Sequence, residues 1–207
     1  NVHLCASRNK LHNTVSTMRL ALDTVMTDRT IAPYSAGVAG TSTRACLERI
    51  DPHNSTLKAM ISVDAEGALA SAREADQAAR EGRWLGLLHG VPTIVKDNID
   101  TAGLRTTYGS KFFDNHVPNH DAPVVQRLRQ AGAVIVGKAT LQEFAFGIRS
   151  NNPVIGQCHN PWDEARIPGG SSGGSGVTVA MDMCVAALGS DTGGSVRLPA
   201  ALNGVSG

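Results

Sequence analysis

The pattern of apolar and polar residues alternates between two periods along the chain. Stretches with apolar residues at three- and four-residue steps predict helices over residues 10–27, 41–50, 64–80, 121–132 and 140–146. Short runs of consecutive apolar residues predict strands over residues 57–63, 90–97, 133–137 and 184–188. Strands and helices that alternate in this way predict an α/β fold with a layered core.

Turn and cap residues set the expected ends of these elements. Residues 33–40 are a turn-rich break, and the DPHN sequence at 51–54 is expected to stop the second helix. Asp64 is expected to cap the alanine-rich helix, which ends near Gly82. Pro123 falls in the first turn of the helix predicted from residue 121, where proline is well tolerated.

Composition is typical of an ordinary soluble globular protein. The 207 residues are 42% hydrophobic and 18% charged, with a formal net charge of +1 at pH 7. A near-neutral charge and 4% aromatic residues argue against a nucleic-acid surface, and no run approaches the roughly 18 apolar residues of a transmembrane helix. We expect no nucleic-acid partner, no membrane span and a cytoplasmic location, although a chain that starts at Asn1 is also compatible with a removed targeting peptide.

Cysteine and histidine positions predict no metal site. The four cysteines, at positions 5, 46, 158 and 184, contain no Cys-x-x-Cys pair, and the seven histidines are equally dispersed. Such spacing fits neither a zinc site nor a disulfide framework. We therefore expect buried or partly buried thiols in a reducing compartment, and no bound metal.

Two glycine-serine clusters mark the candidate site. They occupy residues 168–176 (PGGSSGGSG) and 189–197 (GSDTGGSVR), and the apolar stretch between them is long enough for a short helix and a strand. A flexible linker has no reason to be followed by so much valine, alanine and methionine. The clusters are therefore expected to form two close loops, each presenting unobstructed backbone N–H groups and a serine.

Lys96 and Ser195 carry the candidate chemistry, and each has a plainer alternative. Burial of Lys96 at a strand end would lower its pKa and make it a general base, whereas the alternative is a salt bridge to Asp97 or another carboxylate. Ser195 follows N–H groups suited to an oxyanion, an anion site or merely a tight turn. A phosphate loop is disfavoured because no lysine follows the glycines. The Gly-x-Ser-x-Gly pattern at 170–174 matches a nucleophile elbow, but no histidine follows His159.

Together these motifs resemble the amidase signature family. The resemblance is carried by residues 90–98 (GVPTIVKDN), 137–140, 143–147, 160–163, 169–176 and 188–197. It implies an α/β fold with a mixed central sheet covered by helices on both faces, incomplete in this chain. We therefore expect an N-terminal helical segment over residues 1–55 and the N-terminal part of the amidase signature domain over residues 56–207.

The resemblance also implies roles for individual residues. In the family's Ser–cis-Ser–Lys triad, Ser195 takes the place of the nucleophile, Ser171 that of the bridging serine, and Lys96 that of the lysine that begins and ends the relay. The N–H groups expected to hold the oxyanion belong to Thr192, Gly193, Gly194 and Ser195. Residues expected to support the triad are Ser172, Asp191 and Arg197. Ala145 matches the region of the acyl pocket, and at least one of its flanking phenylalanines is expected to pack in the core.

The implied activity is hydrolysis of a small carboxylic amide through a serine acyl-enzyme, giving an acid and ammonia or an amine, without a cofactor. Alternatives are the amidase subunit of a tRNA-dependent glutamyl or aspartyl amidotransferase, a hydrolase of allophanate-like or carboxybiuret-like urea derivatives, and a non-catalytic fragment. Against the first, residues 149–152 (RSNN) depart from the expected Ser-x-Glu-x-Ser pattern. The family also makes a homodimer plausible, and the chain is expected to be part of a longer protein and inactive alone.

Overall fold

The structure, a computed structural model, describes residues 37–207 and the backbone of residues 2–7. Its strands are β1 (Val2–Ser7), β2 (Met60–Val63), β3 (Pro92–Lys96), β4 (Val134–Ala139), β5 (Asn151–Asn152), β6 (Gly156–Gln157), β7 (Ala186–Ser190) and β8 (Val205–Ser206). Six of them form a mixed sheet in the order β2-β4-β3-β7-β1-β8, and β5 and β6 pair separately. Strand β3 is parallel to both of its neighbours, whereas β1, β2 and β8 make antiparallel pairs. The predicted mixed sheet is confirmed.

Helices cover both faces of this sheet. They are α1 (Val38–Leu57), α2 (Ala65–Arg80), α3 (Pro123–Gln130), α4 (Gly173–Ala180) and α5 (Arg197–Asn203), with 3₁₀ turns at Lys111–Phe113 and Glu143–Ala145. Successive residues of β3 point to opposite faces. Ile94 packs in the larger core with α1, α2, α4 and α5, whereas Val95 packs with Val125 of α3. The sheet therefore separates two cores, and α4 lies on the same side as Ile94.

An aspartate lies at the predicted start of both α2 and α3, but only the one at α2 caps its helix. Asp64 caps α2 as predicted, because its carboxylate accepts the N–H of Gly67 at 3.0 Å. Asp121 does not cap α3, which begins after Ala122 without a side-chain cap, and its carboxylate instead accepts the N–H of Ala102 at 2.7 Å. The helix predicted over residues 10–27 lies outside the described residues. None of the described helices is long and apolar enough to cross a membrane.

Helix α1 continues through residues 51–54, so the stop predicted there is wrong. Pro52 removes a single N–H donor, and Ile50 and Leu57 on either side of it are buried in the larger core. Core packing therefore holds the helix together across the proline. The helix also crosses the division expected at residue 55, which stays a prediction.

Residues 140–146, predicted as a helix, contain only a 3₁₀ turn, in which Phe144 has a φ of 51°. The N–H of Phe144 donates to the carbonyl oxygen of Tyr108 at 2.8 Å, so the backbone bonds to a neighbouring loop rather than along a helix. Phe144 and Phe146 are both exposed. The expectation that one of them packs in the core is therefore wrong.

Candidate active site

Lys96 lies at the carboxyl end of the central strand β3, and its side chain is completely buried. Its Nζ is 2.7 Å from Ser171 Oγ and 2.9 Å from Ser190 Oγ. Burial lowers the pKa of Lys96 to about 7, because the ammonium form loses hydration, and the carboxylate of Asp191 opposes this shift. A large share of the amine is therefore neutral near pH 7 and able to accept a proton.

Asp97 pairs with a different lysine. Lys138 of β4 is also completely buried, and its Nζ lies 3.5 Å from Asp97 Oδ1 while donating to Ile99 O at 2.8 Å and Thr106 Oγ1 at 2.7 Å. Burial lowers the pKa of Lys138 to about 8 and raises that of Asp97. Among the described residues no carboxylate lies within ion-pair distance of Lys96, so the alternative of a salt bridge from Lys96 to Asp97 is wrong.

Helix α4 begins inside the first glycine-serine cluster, at Gly173, so much of that cluster is a helix start rather than a loop. Gly174 permits this close approach, because a Cβ there would lie 2.3 Å from the carbonyl oxygen of Ala59. Ser171 and Ser172 consequently sit just before the first turn, beside the end of β3. The peptide bond preceding Ser171 is cis, as the resemblance implies.

Ser150 holds the segment around Ser171. Its Oγ accepts the N–H of Gly173 at 2.8 Å and lies 2.9 Å from Gly169 O and 3.3 Å from Ser171 O, to which its single proton can donate. No pattern in the sequence signals this role. Ser150 lies on a separate loop, and only the folded chain brings it against the glycine-serine cluster.

Asp191 organises the second glycine-serine cluster. Its carboxylate accepts the N–H groups of Gly194, Val196 and Arg197 at 2.8, 3.0 and 3.2 Å, and the guanidinium of Arg197 at 2.9 and 3.1 Å. The Arg197 side chain and these N–H groups hold the pKa of Asp191 well below its usual range. Asp191 and Arg197 thus brace the loop that carries Ser195.

The same bracing changes the expected set of oxyanion donors. The N–H of Gly194 is already donated to Asp191, so it is not available to a substrate oxygen in this structure. The N–H groups of Thr192, Gly193 and Ser195 donate to no acceptor within the described part of the chain. Three open donors therefore remain around the candidate nucleophile.

Ser195 is joined through its backbone to Ser172, the residue that follows the bridging serine. The N–H of Ser172 donates to Ser195 O at 3.1 Å, and Ser172 Oγ bonds to both the carbonyl oxygen and the N–H of Ser190. Ser172 thus ties the two clusters together. The structure brings Lys96 and Ser171 into direct contact, whereas Ser195 Oγ has no hydrogen-bond partner among residues 37–207.

Two polar residues beside Lys96 were missed by sequence reasoning. Ser190 ends β7, and its Oγ contacts Lys96 Nζ at 2.9 Å and accepts from Asn98 Nδ2 at 3.1 Å. Ser190 meets the lysine because β7 is the parallel neighbour of β3, so the carboxyl ends of both strands lie at one edge of the sheet. The strand order that creates this contact is not readable from the sequence.

Ala145, the expected acyl-pocket residue, lies in the turn next to this edge. Its N–H donates to Gln142 O at 2.8 Å, and the N–H of Gln142 donates to Ser171 O at 3.0 Å. The turn is therefore joined to the backbone of the bridging serine. Elsewhere in residues 37–207 no group of three metal-ligating side chains occurs, and Cys46, Cys158 and Cys184 are buried.

A family model described as Amidase matches residues 41–207. This chain belongs to the amidase signature family. Its sequence is 48% identical over 165 residues to the A subunit of glutamyl-tRNA(Gln) amidotransferase from Acaryochloris marina (strain MBIC 11017), covering 80% of this chain and 34% of that protein. The chain thus spans about a third of the length of the curated relatives it matches.

Solved structures of amidase signature proteins share the fold. Peptide amidase from Stenotrophomonas maltophilia is 41% identical with a TM-score of 0.75, over 80% of this chain and 35% of that chain. The A subunit of glutamyl-tRNA(Gln) amidotransferase from Thermotoga maritima is 37% identical with a TM-score of 0.64, over 84% of this chain and 37% of that chain. The family and the fold expected from the sequence are therefore confirmed.

Proposed function

We propose that the protein is an amidase that hydrolyses a carboxylic amide through an acyl-enzyme on Ser195. The observation that carries this proposal is the completely buried Lys96, whose Nζ lies 2.7 Å from Ser171 Oγ. The same burial lowers the pKa of Lys96 to about 7. A neutral amine against a buried hydroxyl is a base poised to deprotonate a serine. The family's amide-cleaving relatives support the same reaction.

In the proposed relay, Ser195 Oγ attacks the amide carbon as its proton passes to Ser171, whose own proton passes to Lys96. The resulting ammonium then returns the proton through Ser171 to the leaving nitrogen, and the C–N bond breaks. Water hydrolyses the acyl-enzyme by the same relay. Ser195 must approach Ser171 during this reaction, and such contacts often tighten only when substrate binds.

The oxyanion would be held by the open N–H groups of Thr192, Gly193 and Ser195. Backbone donors fixed in place before the reaction stabilise developing charge without reorganisation. Asp191 fixes this loop by binding three of its N–H groups, including that of Gly194. We therefore assign Gly194 to bracing rather than to the oxyanion.

The substrate's acyl group would lie beside Ala145, in the turn joined to Ser171 through Gln142. The exposed phenylalanines on either side of Ala145 offer apolar surface for it. We therefore propose a small-molecule amide as substrate. We also propose a cytoplasmic location, which is supported by relatives named as glutamyl-tRNA(Gln) amidotransferase subunits.

The test is intact-mass analysis of the full-length protein after exposure to a fluorophosphonate. One adduct is expected, formed as Ser195 Oγ bonds to phosphorus and fluoride leaves. The adduct should be lost in Ser195→Ala and Lys96→Ala and kept in Ser55→Ala, an exposed serine outside the site. An unlabelled folded protein, or an adduct that persists in Ser195→Ala, would contradict the proposal.

The second candidate is the amidase subunit of a tRNA-dependent amidotransferase. It is favoured by 48% identity to the A subunit of a glutamyl-tRNA(Gln) amidotransferase, whereas residues 149–152 depart from the pattern expected of that subunit. Ammonia release separates the two. Ammonia release from simple primary amides, without any added protein, supports the hydrolase. Ammonia release from glutamine and from no other amide supports the amidotransferase subunit.

A further inference from the structure

Lys96 contacts two hydroxyl groups, and only one of them belongs to the proposed relay. Ser171 Oγ lies 2.7 Å from Nζ and Ser190 Oγ lies 2.9 Å from it. A neutral amine has one lone pair and two N–H bonds. To act as a base toward Ser171, Lys96 must point its lone pair at that hydroxyl and donate to Ser190.

Ser190 can also bind Lys96 in a way that prevents this arrangement. A hydroxyl donates one hydrogen bond as readily as it accepts, so Ser190 can direct its own proton at Lys96. The lone pair is then occupied, and Lys96 can only donate to Ser171. The orientation of the Ser190 O–H bond therefore decides whether the lysine is usable as a base.

Asn98 lies where it can set that orientation. Its amide nitrogen is 3.1 Å from Ser190 Oγ, and its Oδ1 is buried without a hydrogen-bond partner in the described part of the chain. A half-turn of the amide exchanges its two ends and brings the oxygen to Ser190 as an acceptor. Ser190 then donates to Asn98 and accepts from Lys96, which leaves the lysine lone pair for Ser171.

We propose that Asn98 is a positioning residue that acts through Ser190 to direct the lone pair of Lys96 at Ser171. This inference rests on the proposed function. In this proposal Asn98 and Ser190 do not touch the substrate, and they act only on Lys96. The direction in which hydrogen bonds run along Asn98, Ser190, Lys96 and Ser171 is thereby fixed by one amide.

The neighbouring charges make the lysine sensitive to a change at Asn98. Asp97 and Lys138 compensate each other through their own ion pair, and Asp191 is bound by Arg197. Helix α4 contributes no charged residue. A new carboxylate at position 98 would thus add an uncompensated negative charge close to Lys96 and favour its ammonium form.

The experiment measures the rate of fluorophosphonate labelling against pH in the full-length protein. Ser190→Ala and Asn98→Leu should each slow the limiting rate by about 10- to 100-fold, because misdirecting the lone pair removes part of the roughly 10²–10⁴-fold that a general base contributes. The double variant should be no slower than the slower single variant, because the two residues act as one unit. Ser190→Thr, which keeps the hydroxyl, should stay within about threefold of the unaltered protein.

The pH midpoint of fluorophosphonate labelling distinguishes a positioning role of Asn98 from a general structural defect in the variant. Asn98→Asp should move the midpoint of labelling to higher pH by about 1 unit or more, because the carboxylate favours the ammonium form. Thr106→Val, which removes a hydroxyl partner of the other buried lysine, should lower stability without moving the midpoint. This matched control perturbs Lys138 and leaves Lys96 untouched.

Three outcomes overturn the inference while leaving the proposed function intact. They are a labelling rate of Asn98→Leu equal to that of the unaltered protein, multiplicative losses in the double variant, and an unmoved midpoint in Asn98→Asp. Failure of the unaltered, folded protein to label at Ser195 would instead remove the proposed function itself.

Discussion

Replacing Lys96 by methionine should stabilise the protein at neutral pH while abolishing its reactivity with the fluorophosphonate. Methionine has a similar length but no charge to desolvate. In the folded chain burial lowers the pKa of Lys96 from 10.5 to about 7, and unfolding restores the ordinary value. Between these two values the unfolded chain binds more protons, so the buried lysine favours unfolding.

The magnitude follows from the size of this shift. One pKa unit corresponds to about 1.4 kcal/mol, so burying Lys96 costs the folded protein about 4 kcal/mol at pH 7. Methionine also forfeits the hydrogen bonds to Ser171 and Ser190, worth about 1 kcal/mol each. The variant should therefore be more stable by about 2 kcal/mol at pH 7. The ionisation cost disappears as the pH rises toward 10.5, so there the variant should be the less stable protein.

Urea denaturation of both full-length proteins at pH 7, 8, 9 and 10 measures this difference. Other titrating groups, Lys138 among them, are present in both proteins, so their contributions cancel in the comparison. A difference in unfolding free energy that stays constant from pH 7 to 10 would mean that folded Lys96 keeps an ordinary pKa. The neutral-base reasoning would then be refuted.

Three further predictions test the packing and bracing of the site. Lys138→Met should destabilise the protein by about 3–5 kcal/mol in urea denaturation, because it leaves the Asp97 carboxylate buried and unpaired, and adding Asp97→Asn should recover most of that loss. Asp191→Asn should slow fluorophosphonate labelling by more than about 10-fold, whereas Arg197→Gln, whose side chain is 69% exposed, should slow it by less than about threefold; an equally small loss in Asp191→Asn would contradict its bracing role. Gly174→Ala should sharply lower the melting temperature followed by circular dichroism, since its Cβ would lie 2.3 Å from a backbone carbonyl oxygen.

Much of the fold, and the family, could be predicted from the sequence. Long periodic segments such as the helix capped by Asp64 fold as their pattern predicts, because periodicity, cap and alanine content all agree. Predictions fail where contacts between distant residues override local preference. The DPHN stop at residues 51–54 is outweighed by core packing of α1, and the helix predicted over 140–146 is replaced by bonds to neighbouring loops.

The candidate site also has features that the sequence predicts and features that only the fold reveals. Lys96, Ser171 and Ser195 lie in motifs with a strong family resemblance, so the amino-acid sequence is enough to single them out. The hydrogen bonds around them are not predictable from those motifs. That Ser190 reaches Lys96 depends on the order of β3 and β7 in the sheet, and that Gly194 is bound by Asp191 depends on loop geometry.

Two completely buried lysines at one edge of the sheet show why burial alone does not identify a base. Lys138 has a carboxylate partner in Asp97, whereas the partners of Lys96 within the described part of the chain are the hydroxyls of Ser171 and Ser190 and a carbonyl oxygen. If Lys96 served only structure, a carboxylate beside it would offset the cost of desolvation, as Asp97 does for its neighbour. Hydroxyl partners compensate an ammonium poorly and leave the neutral amine favoured. The choice of partner, rather than burial, therefore makes Lys96 the candidate base of the pair.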